Sequence, residues 1–196
     1  MNEFWNTRYD DLDYVYGTNP NECLKSFLKN TKAGSILLPC DGEGRNAVFC
    51  AEMGWDVVAF DFAETAVQKA LGLAAFKNVR VDYSLSSWQD FDNIERFDVV
   101  ASIFAHFTPG QRMEFHNKMM NFLKPNGTFL AEYFSKSQLG NKSGGPSSLD
   151  LLYTLDELRS DFSNHQIVEL TELTVNLNEG AFHQGEAEVI RIIVKK

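Results

Sequence analysis

A doubly wound α/β fold is what this 196-residue sequence predicts, Rossmann-like, with a seven-stranded sheet that is mostly parallel and carries an antiparallel C-terminal strand. Three observations predict it. Short apolar or β-branched runs alternate with longer amphipathic stretches through most of the chain, the rhythm of βαβ units with helices on both faces of a parallel sheet. A glycine-bearing turn, Gly42-Glu43-Gly44, follows the first such run directly. From Gln166 onward the rhythm gives way to two long alternating runs, which read as an antiparallel hairpin at a sheet edge.

The elements follow in order. Ser35 to Cys40 reads as a buried strand, and a helix runs from the glycine turn to about Met53. Trp55 to Phe60 is a second strand that ends at Asp61, and the next helix places Ala66, Ala70 and Leu73 on one face. Asn78 to Val81 is predicted as the third strand. Phe97 to Phe104 is a fourth, apolar enough to be covered on both faces. Pro109 suits the first turn of a helix over Gln111 to Leu123, where its missing N–H costs nothing. Pro125-Asn126-Gly127 is a turn, and Thr128 to Phe134 a fifth strand. Gln166 to Asn176 and Glu186 to Lys195 form the terminal hairpin around Asn178-Glu179-Gly180. Residues 1–196 read as one domain, with an N-terminal lid or helical segment at 1–33 and a loop over the site at 135–150. That loop, rich in Gly and Ser, follows the carboxyl end of the fifth strand, the side on which open α/β sheets bind ligands; it suits a lid and a plain connection equally.

Composition narrows the function. The formal net charge is -9 and no basic cluster occurs, which argues against nucleic acid as a partner. An acidic surface suits a small-molecule substrate or a cationic cofactor. Cys23, Cys40 and Cys50 are odd in number and lack Cys-x-x-Cys spacing, so neither a disulfide framework nor a zinc site is expected. The four histidines lack metal-ligand spacing. Neither a signal peptide nor an apolar run of membrane-spanning length is visible. The expectation is a cytoplasmic protein, monomer or homodimer, without membrane contact.

Gly42-Glu43-Gly44-Arg45-Asn46-Ala47 matches G-x-G-x-x-G/A between a strand and a helix, and Asp61 ends the next strand at the distance expected of a ribose-gripping carboxylate. The same features serve a bare tight turn and a helix-capping Asp. Asp41 and Glu43 stand where a pyrophosphate would approach, and like charges near 4 Å cost about 4 kcal/mol at an effective dielectric of 20. S-adenosylmethionine carries no phosphate but a sulfonium and an ammonium, and its carboxylate suits the N–H groups near Arg45 and Asn46. Acids in the turn favour that cofactor. An NAD(P)-dependent oxidoreductase stays open on the glycine pattern and Asp61, as does a non-catalytic S-adenosylmethionine-binding module.

The sequence resembles the tellurite-resistance and thiopurine-methylating branch of class I methyltransferases from Trp5 to about Arg191. The resemblance is carried by Trp5-Asn6-Thr7-Arg8-Tyr9, Tyr14 to Pro20, Leu38-Pro39-Cys40-Asp41-Gly42-Glu43-Gly44-Arg45-Asn46-Ala47, Ser102 to His106, Lys124 to Gly127, and Glu179-Gly180 with His183, Gly185 and Ala187. It implies that Cys40, Asp41, Gly42, Gly44 and Asn46 lie under the methionine part and that Asp61 and Phe62 meet the ribose. It further implies that Ser84 and Leu85 frame the adenine, that Ile103 and His106 face the methyl, and that Trp5 and Tyr9 cover the site. Leu38 and Ser84 stand where the wider class often has acids. The substrate implied is a small soft nucleophile, a thiol or a tellurite- or selenite-like oxyanion.

Methyl transfer from a sulfonium is an in-line displacement that needs alignment and exclusion of water. A thiol needs little help in losing its proton, whereas an oxygen or amine would want a base. His106, after the fourth strand, is the first candidate for a base or a substrate orienter. His183, in the terminal hairpin beside Glu179 and Glu186, is the second. For each, a structural loop or turn histidine is the plainer alternative. His116 and His165 are expected to be structural. The dense N-terminal aromatics, Phe4 to Tyr16, suit a helix docked on the sheet as well as a lid over a cation. Tyr133 is expected to be a buried tyrosine with a backbone partner.

Overall fold

The computed structural model describes residues 2–196. In chain order the elements are α1 (Asn2–Tyr9), α2 (Glu22–Lys29), β1 (Ser35–Pro39), α3 (Arg45–Glu52), β2 (Asp56–Asp61), α4 (Glu64–Phe76) and β3 (Asp82–Leu85). They continue with β4 (Phe97–Ile103), α5 (Pro109–Asn121), β5 (Leu123–Phe134), α6 (Leu155–Asp161), β6 (Gln166–Glu179) and β7 (His183–Lys195). One seven-stranded sheet has the order β3-β2-β1-β4-β5-β7-β6. The first five strands pair in parallel, and β7 runs antiparallel between β5 and β6. The winding direction reverses between β1 and β4, which leaves a crevice beyond their carboxyl ends.

Alternation along each central strand feeds two cores. Leu37, Val58, Phe60, Val100, Phe129 and Ile192 face α5 and α6, against Phe115, Met119, Leu158 and Phe162. Their neighbours Ile36, Leu38, Val57, Ala59, Val99 and Leu130 face the opposite way, against Leu24 and Leu28 of α2, Cys50 of α3 and Ala70 of α4. A strand covered on both sides must be apolar at consecutive positions, which is why Ile36-Leu37-Leu38 shows no polar alternation. Pro109 opens α5 as expected, and the Gln111 side chain accepts the Thr108 hydroxyl hydrogen bond at 2.9 Å.

Three expectations need correction. The third strand lies at Asp82–Leu85 rather than Asn78 to Val81. Asn78, at φ 55°, is the left-handed residue that ends α4, a position Asn tolerates well, so the chain straightens only after it. The hairpin is longer than predicted: β6 continues to Glu179 and β7 begins at His183, so these two residues are directly paired. Pro125-Asn126-Gly127 falls inside β5 as an outward loop of the strand, where the pairing jumps from Phe97–Leu123 to Val99–Thr128 and Asn126 has φ 64°. Helix α6 was not foreseen; Thr154 and Glu157 form its capping box.

Distant parts of the chain meet at a buried polar junction above the sheet. Asn21, almost fully buried, caps α2 through Leu24 N at 3.0 Å and donates to Glu132 Oε1 at 2.7 Å and Glu179 Oε1 at 3.3 Å. Its own N–H reaches Asn46 Oδ1 at 2.9 Å. Arg191 donates to Glu132 at 2.5 Å, and Arg45 to Glu179 at 2.8 Å. A buried carboxylate stripped of one donor keeps its desolvation penalty. Asn21→Ala is therefore expected to lower the unfolding free energy by about 2–4 kcal/mol, lost cap and lost donor together, measured by urea denaturation.

Candidate functional site

A cavity of about 190 Å³ opens beyond the carboxyl ends of β1, β2 and β4. Its floor is the stretch Cys40 to Glu43 of the turn into α3. Cys40, Gly42 and Gly44 all have positive φ, at 54°, 61° and 81°, which folds the chain sharply from β1 into α3. Asp61, at the end of β2, holds that turn by accepting Gly42 N and Ala63 N, each at 2.9 Å. Asp41 accepts Asn46 Nδ2 at 3.0 Å and Ala47 N at 3.1 Å, and so caps the start of α3. Tyr83 donates to Gly42 O at 2.7 Å. At Gly44 a Cβ would stand 2.6 Å from the Ala70 Cβ, so this glycine lets α3 and α4 approach. At Gly42 it would stand 2.7 Å from the Tyr9 hydroxyl.

Burial raises both cavity carboxyls, outweighing the hydrogen bonds that pull them down: Asp41 to about 7 and Asp61 to about 6. Burial raises Glu43 in the same direction, but Lys69 pairs with it and pulls it partly back. The expected pair of acids in the turn thus reduces to Asp41, joined by Asp61. Lys69 also donates to the carbonyls of Asp11 and Asp13 at 3.0 and 2.6 Å, tying down the segment after α1.

The walls are aromatic. Trp5 stacks on Tyr9 at 5.5 Å and lies nearly parallel to His106 at 6.4 Å. On its other side His106 lies against Phe134 at 6.1 Å. His106 Nδ1 is buried with no hydrogen-bond partner among the described residues. Burial, reinforced by nearby His183, pushes this imidazole down to about 3, so it is neutral at physiological pH. His183 is buried beside Tyr16, ring centroids 4.5 Å apart, and its Nδ1 lies 3.2 Å from Glu179 Oε2. Burial lowers His183 too, with Glu179 pulling it partly back.

The cavity brings together Trp5, Tyr9, Cys40, Asp41, Gly42, Asn46, Asp61, Phe62, Ile103, His106 and His183 from the sequence-derived set. Gly44, Ser84 and Leu85 do not line it. Ser84 and Leu85 belong to β3, paired with Phe60 and Asp61, and Leu85 is half exposed. The segment reaching the cavity comes just after, Ser87-Trp88-Gln89; recognising Asn78 as a helix terminator would have moved the strand and found it. Phe107 and Gln111, at the entry to α5, were also missed. No residue of the 135–150 loop is among the cavity's lining. The loop is pinned by Gln138, which donates to Ser143 Oγ and Gly144 O and accepts Glu188 N. Its Gly144 lies against His183, where a Cβ would stand 2.6 Å from Cδ2. His116, expected to be structural, is fully buried, with Nδ1 2.8 Å from Asp161 and Nε2 3.3 Å from the Tyr133 hydroxyl. Tyr133 thus meets a side chain where a backbone partner was expected. Among the described residues, no helix is long and apolar enough to cross a membrane.

Residues 36–127 match the family model of a methyltransferase domain. The 2-heptyl-1-hydroxyquinolin-4(1H)-one methyltransferase of Mycobacteroides abscessus is 26% identical over 174 residues, which cover 85% of this chain and 74% of that protein. Among solved structures, one on the conversion of a disulfide bond into a thioacetal group during echinomycin biosynthesis superposes with a TM-score of 0.82 at 17% identity, over 100% of this chain and 92% of that one. TehB from Haemophilus influenzae gives 0.73 at 14% identity, over 100% of this chain and 66% of the other. Magnesium protoporphyrin IX methyltransferase from Synechocystis PCC 6803, with bound S-adenosylhomocysteine, gives 0.72 at 12%, over 99% and 94%. At these identities the superpositions establish the fold. The segment matched by the family model begins at β1 and ends inside β5, so it carries the glycine turn, Asp61 and the β4 end; the chain is an S-adenosylmethionine-dependent methyltransferase with the class I fold.

Proposed function

We propose that this methyltransferase acts on a small, uncharged acceptor that presents a soft protic heteroatom, a thiol foremost. The observation that carries this reading is the unpartnered Nδ1 of neutral His106 inside an aromatic wall. An acceptor bearing S–H or O–H would donate to that nitrogen while its apolar body packs on Trp5, Trp88 and Phe107. A tellurite- or selenite-like oxyanion fits less well. Among the described residues, Arg45 is the one formally cationic lining side chain, and Glu179 already holds it. The acidic floor would repel an anion further. The motifs from Leu38 to Ala47 and the likeness to TehB still support kinship with the tellurite-resistance and thiopurine-methylating branch, and the quinolinone methyltransferase relative supports a small-molecule acceptor.

The residues present fit the cofactor. Asp61 would accept the ribose hydroxyls on lone pairs left after Gly42 and Ala63, and Asp41 would face the cationic methionine end. Cys40, Gly42 and Asn46 form the floor under that end, and Phe62, Ser87 and Trp88 the flank open to the base. Bound there, S-adenosylmethionine supplies an electrophilic methyl group on a sulfonium. The chain's part is to exclude water with Trp5 and Tyr9, to orient the acceptor with His106 and Ile103, and to receive its proton.

Three outcomes test this. Mass spectrometry of reactions with thiols, aryl hydroxyls, selenite and tellurite should show methylated thiols as the fastest-formed products; faster methylation of the oxyanions would reverse the choice of acceptor. His106→Ala should cut kcat by about 10²-fold while leaving S-adenosylhomocysteine affinity unchanged. Cofactor affinity should also depend on pH. A cation favours ionised Asp41 and Asp61, which protonate as pH falls through about 7 and about 6. Calorimetry should therefore show S-adenosylmethionine binding weaken by about tenfold or more between pH 7.5 and 5.5. The stability of the free protein runs the other way: these raised carboxyls stabilise it most below their unfolded values and lose that contribution as pH rises through 6 to 7.

A further inference from the structure

We propose that Glu179 is a positioning residue for His183, and that this pair, with His106 only orienting the acceptor, takes the acceptor's proton. The inference rests on the methyl-acceptor reading above. Glu179 and His183 face each other across the last rung of the β6–β7 ladder, and Glu179 Oε2 lies 3.2 Å from His183 Nδ1. A carboxylate only accepts, so Nδ1 carries the hydrogen and Nε2 keeps the lone pair. Arg45 from α3 donates to the same carboxylate and Asn21 to its other oxygen. The Glu179 carboxylate is thus fixed by residues from three parts of the chain. Burial alone would raise it, but the His183 hydrogen bond and the Arg45 guanidinium hold it below the usual glutamate range, so it is ionised.

The two histidines are unequal in what they can do with a proton. An imidazolium at His106 would have no counter-ion, whereas one at His183 would sit against Glu179. The groups facing His183 are Glu179 on β6, Arg45 on α3, Arg8 on α1, Tyr16 before α2 and His106 beyond β4. Arg8 and Arg45 disfavour its protonation, and Glu179 favours it. In the step itself the acceptor's single S–H or O–H hydrogen, which His106 Nδ1 accepts as the acceptor docks, turns to Nε2 of His183 and the proton passes to it. The acceptor's freed electron pair forms the bond to the methyl carbon, the methyl–sulfonium bond breaks, and its electrons leave with the neutral thioether product. Gly144 lies along the Cδ2–Nε2 edge of the His183 ring, where a Cβ would stand 2.6 and 3.2 Å from these two atoms.

The test compares an alkyl thiol, protonated at assay pH, with a nitro-substituted aryl thiol, which is already a thiolate. Glu179→Gln keeps an acceptor for Nδ1 but removes the charge. It is expected to lower kcat/KM for the alkyl thiol by about 10²-fold and for the aryl thiolate by less than about threefold. An equal loss on both acceptors, or no loss on either, overturns the proposal. Should Glu179→Gln not fold, judged by circular dichroism, His183→Gln must reproduce the same selectivity. Histidine NMR titration of the S-adenosylhomocysteine complex gives a readout without turnover: the His183 midpoint must move to lower pH in Glu179→Gln, and an unmoved midpoint sinks the pairing. Wild-type protein that methylates neither thiol would refute the acceptor reading, while the NMR titration still judges the pair.

Discussion

Where parallel strands end, backbone N–H groups run out of partners, and the way this chain satisfies them decides the character of its site. β1 stops at Pro39 and the chain turns within five residues into α3; backbone carbonyls take Asp41 N and Gly44 N, but the turn is too tight to offer one to Gly42 N or Ala47 N. Side-chain carboxylates take them instead: Asp61 holds Gly42 and Ala63, and Asp41 holds Ala47. Each is a local structural necessity, since an unmet buried amide costs about 1–3 kcal/mol. Both acids are thereby fixed in the cavity floor, largely desolvated, with carboxyls raised to about 7 and about 6. A floor built this way lacks its counter-charge until a cation arrives. The preference for a sulfonium cofactor over a dinucleotide then follows from how the turn is made.

A second layer of constraint closes the cavity from above. The segment through Asn21, the start of α3, β5 and the β6–β7 hairpin lie far apart in sequence, yet Asn21, Arg45, Glu132, Glu179 and Arg191 join them through charge-assisted hydrogen bonds. Buried ion pairs add little net stability relative to apolar packing, but breaking one member is costly. Their consequence here is geometric. They fix the hairpin end over the glycine turn, so that His183 and the N-terminal aromatics share one cavity with the floor.

The contrast between what was legible in the sequence and what was not is itself physical. Consecutive apolar residues such as Ile36-Leu37-Leu38 and Val99-Val100 announce doubly covered strands, and the Gly42–Gly44 turn announces the crevice; both depend on local patterning. So does Asp61, at a fixed spacing. Ser84 and Leu85 were misplaced because a single left-handed Asn78 delayed β3, and one residue's backbone angle leaves little trace in hydropathy. Ser87-Trp88-Gln89 were missed for the same reason. The buried polar junction was illegible for a different one: Asn21, Glu132 and Glu179 are separated by more than a hundred residues at two of their contacts, and nothing local distinguishes a buried Glu from a solvated one. Glu43 shows the reverse error, since an acid counted toward the cavity's charge turned out to be neutralised by Lys69 from α4.

These observations bear on how one cavity can serve both a cation and an acceptor. Charge is confined to the floor, where Asp41 and Asp61 meet backbone donors, and the walls around His106 are neutral and aromatic. An acceptor that arrived as an anion would be drawn toward the sulfonium but would cross a negative field to reach it. One that arrives neutral meets no such barrier, and it need only shed a proton once the donor covers the acids. The bound cofactor's own positive charge then lowers the cost of forming the acceptor anion beside it, because opposite charges in a desolvated site attract far more strongly than in water. For the neutral acceptor proposed above, the order in which charges appear, donor first and acceptor anion last, would follow from which residues the fold leaves polar and which it leaves bare.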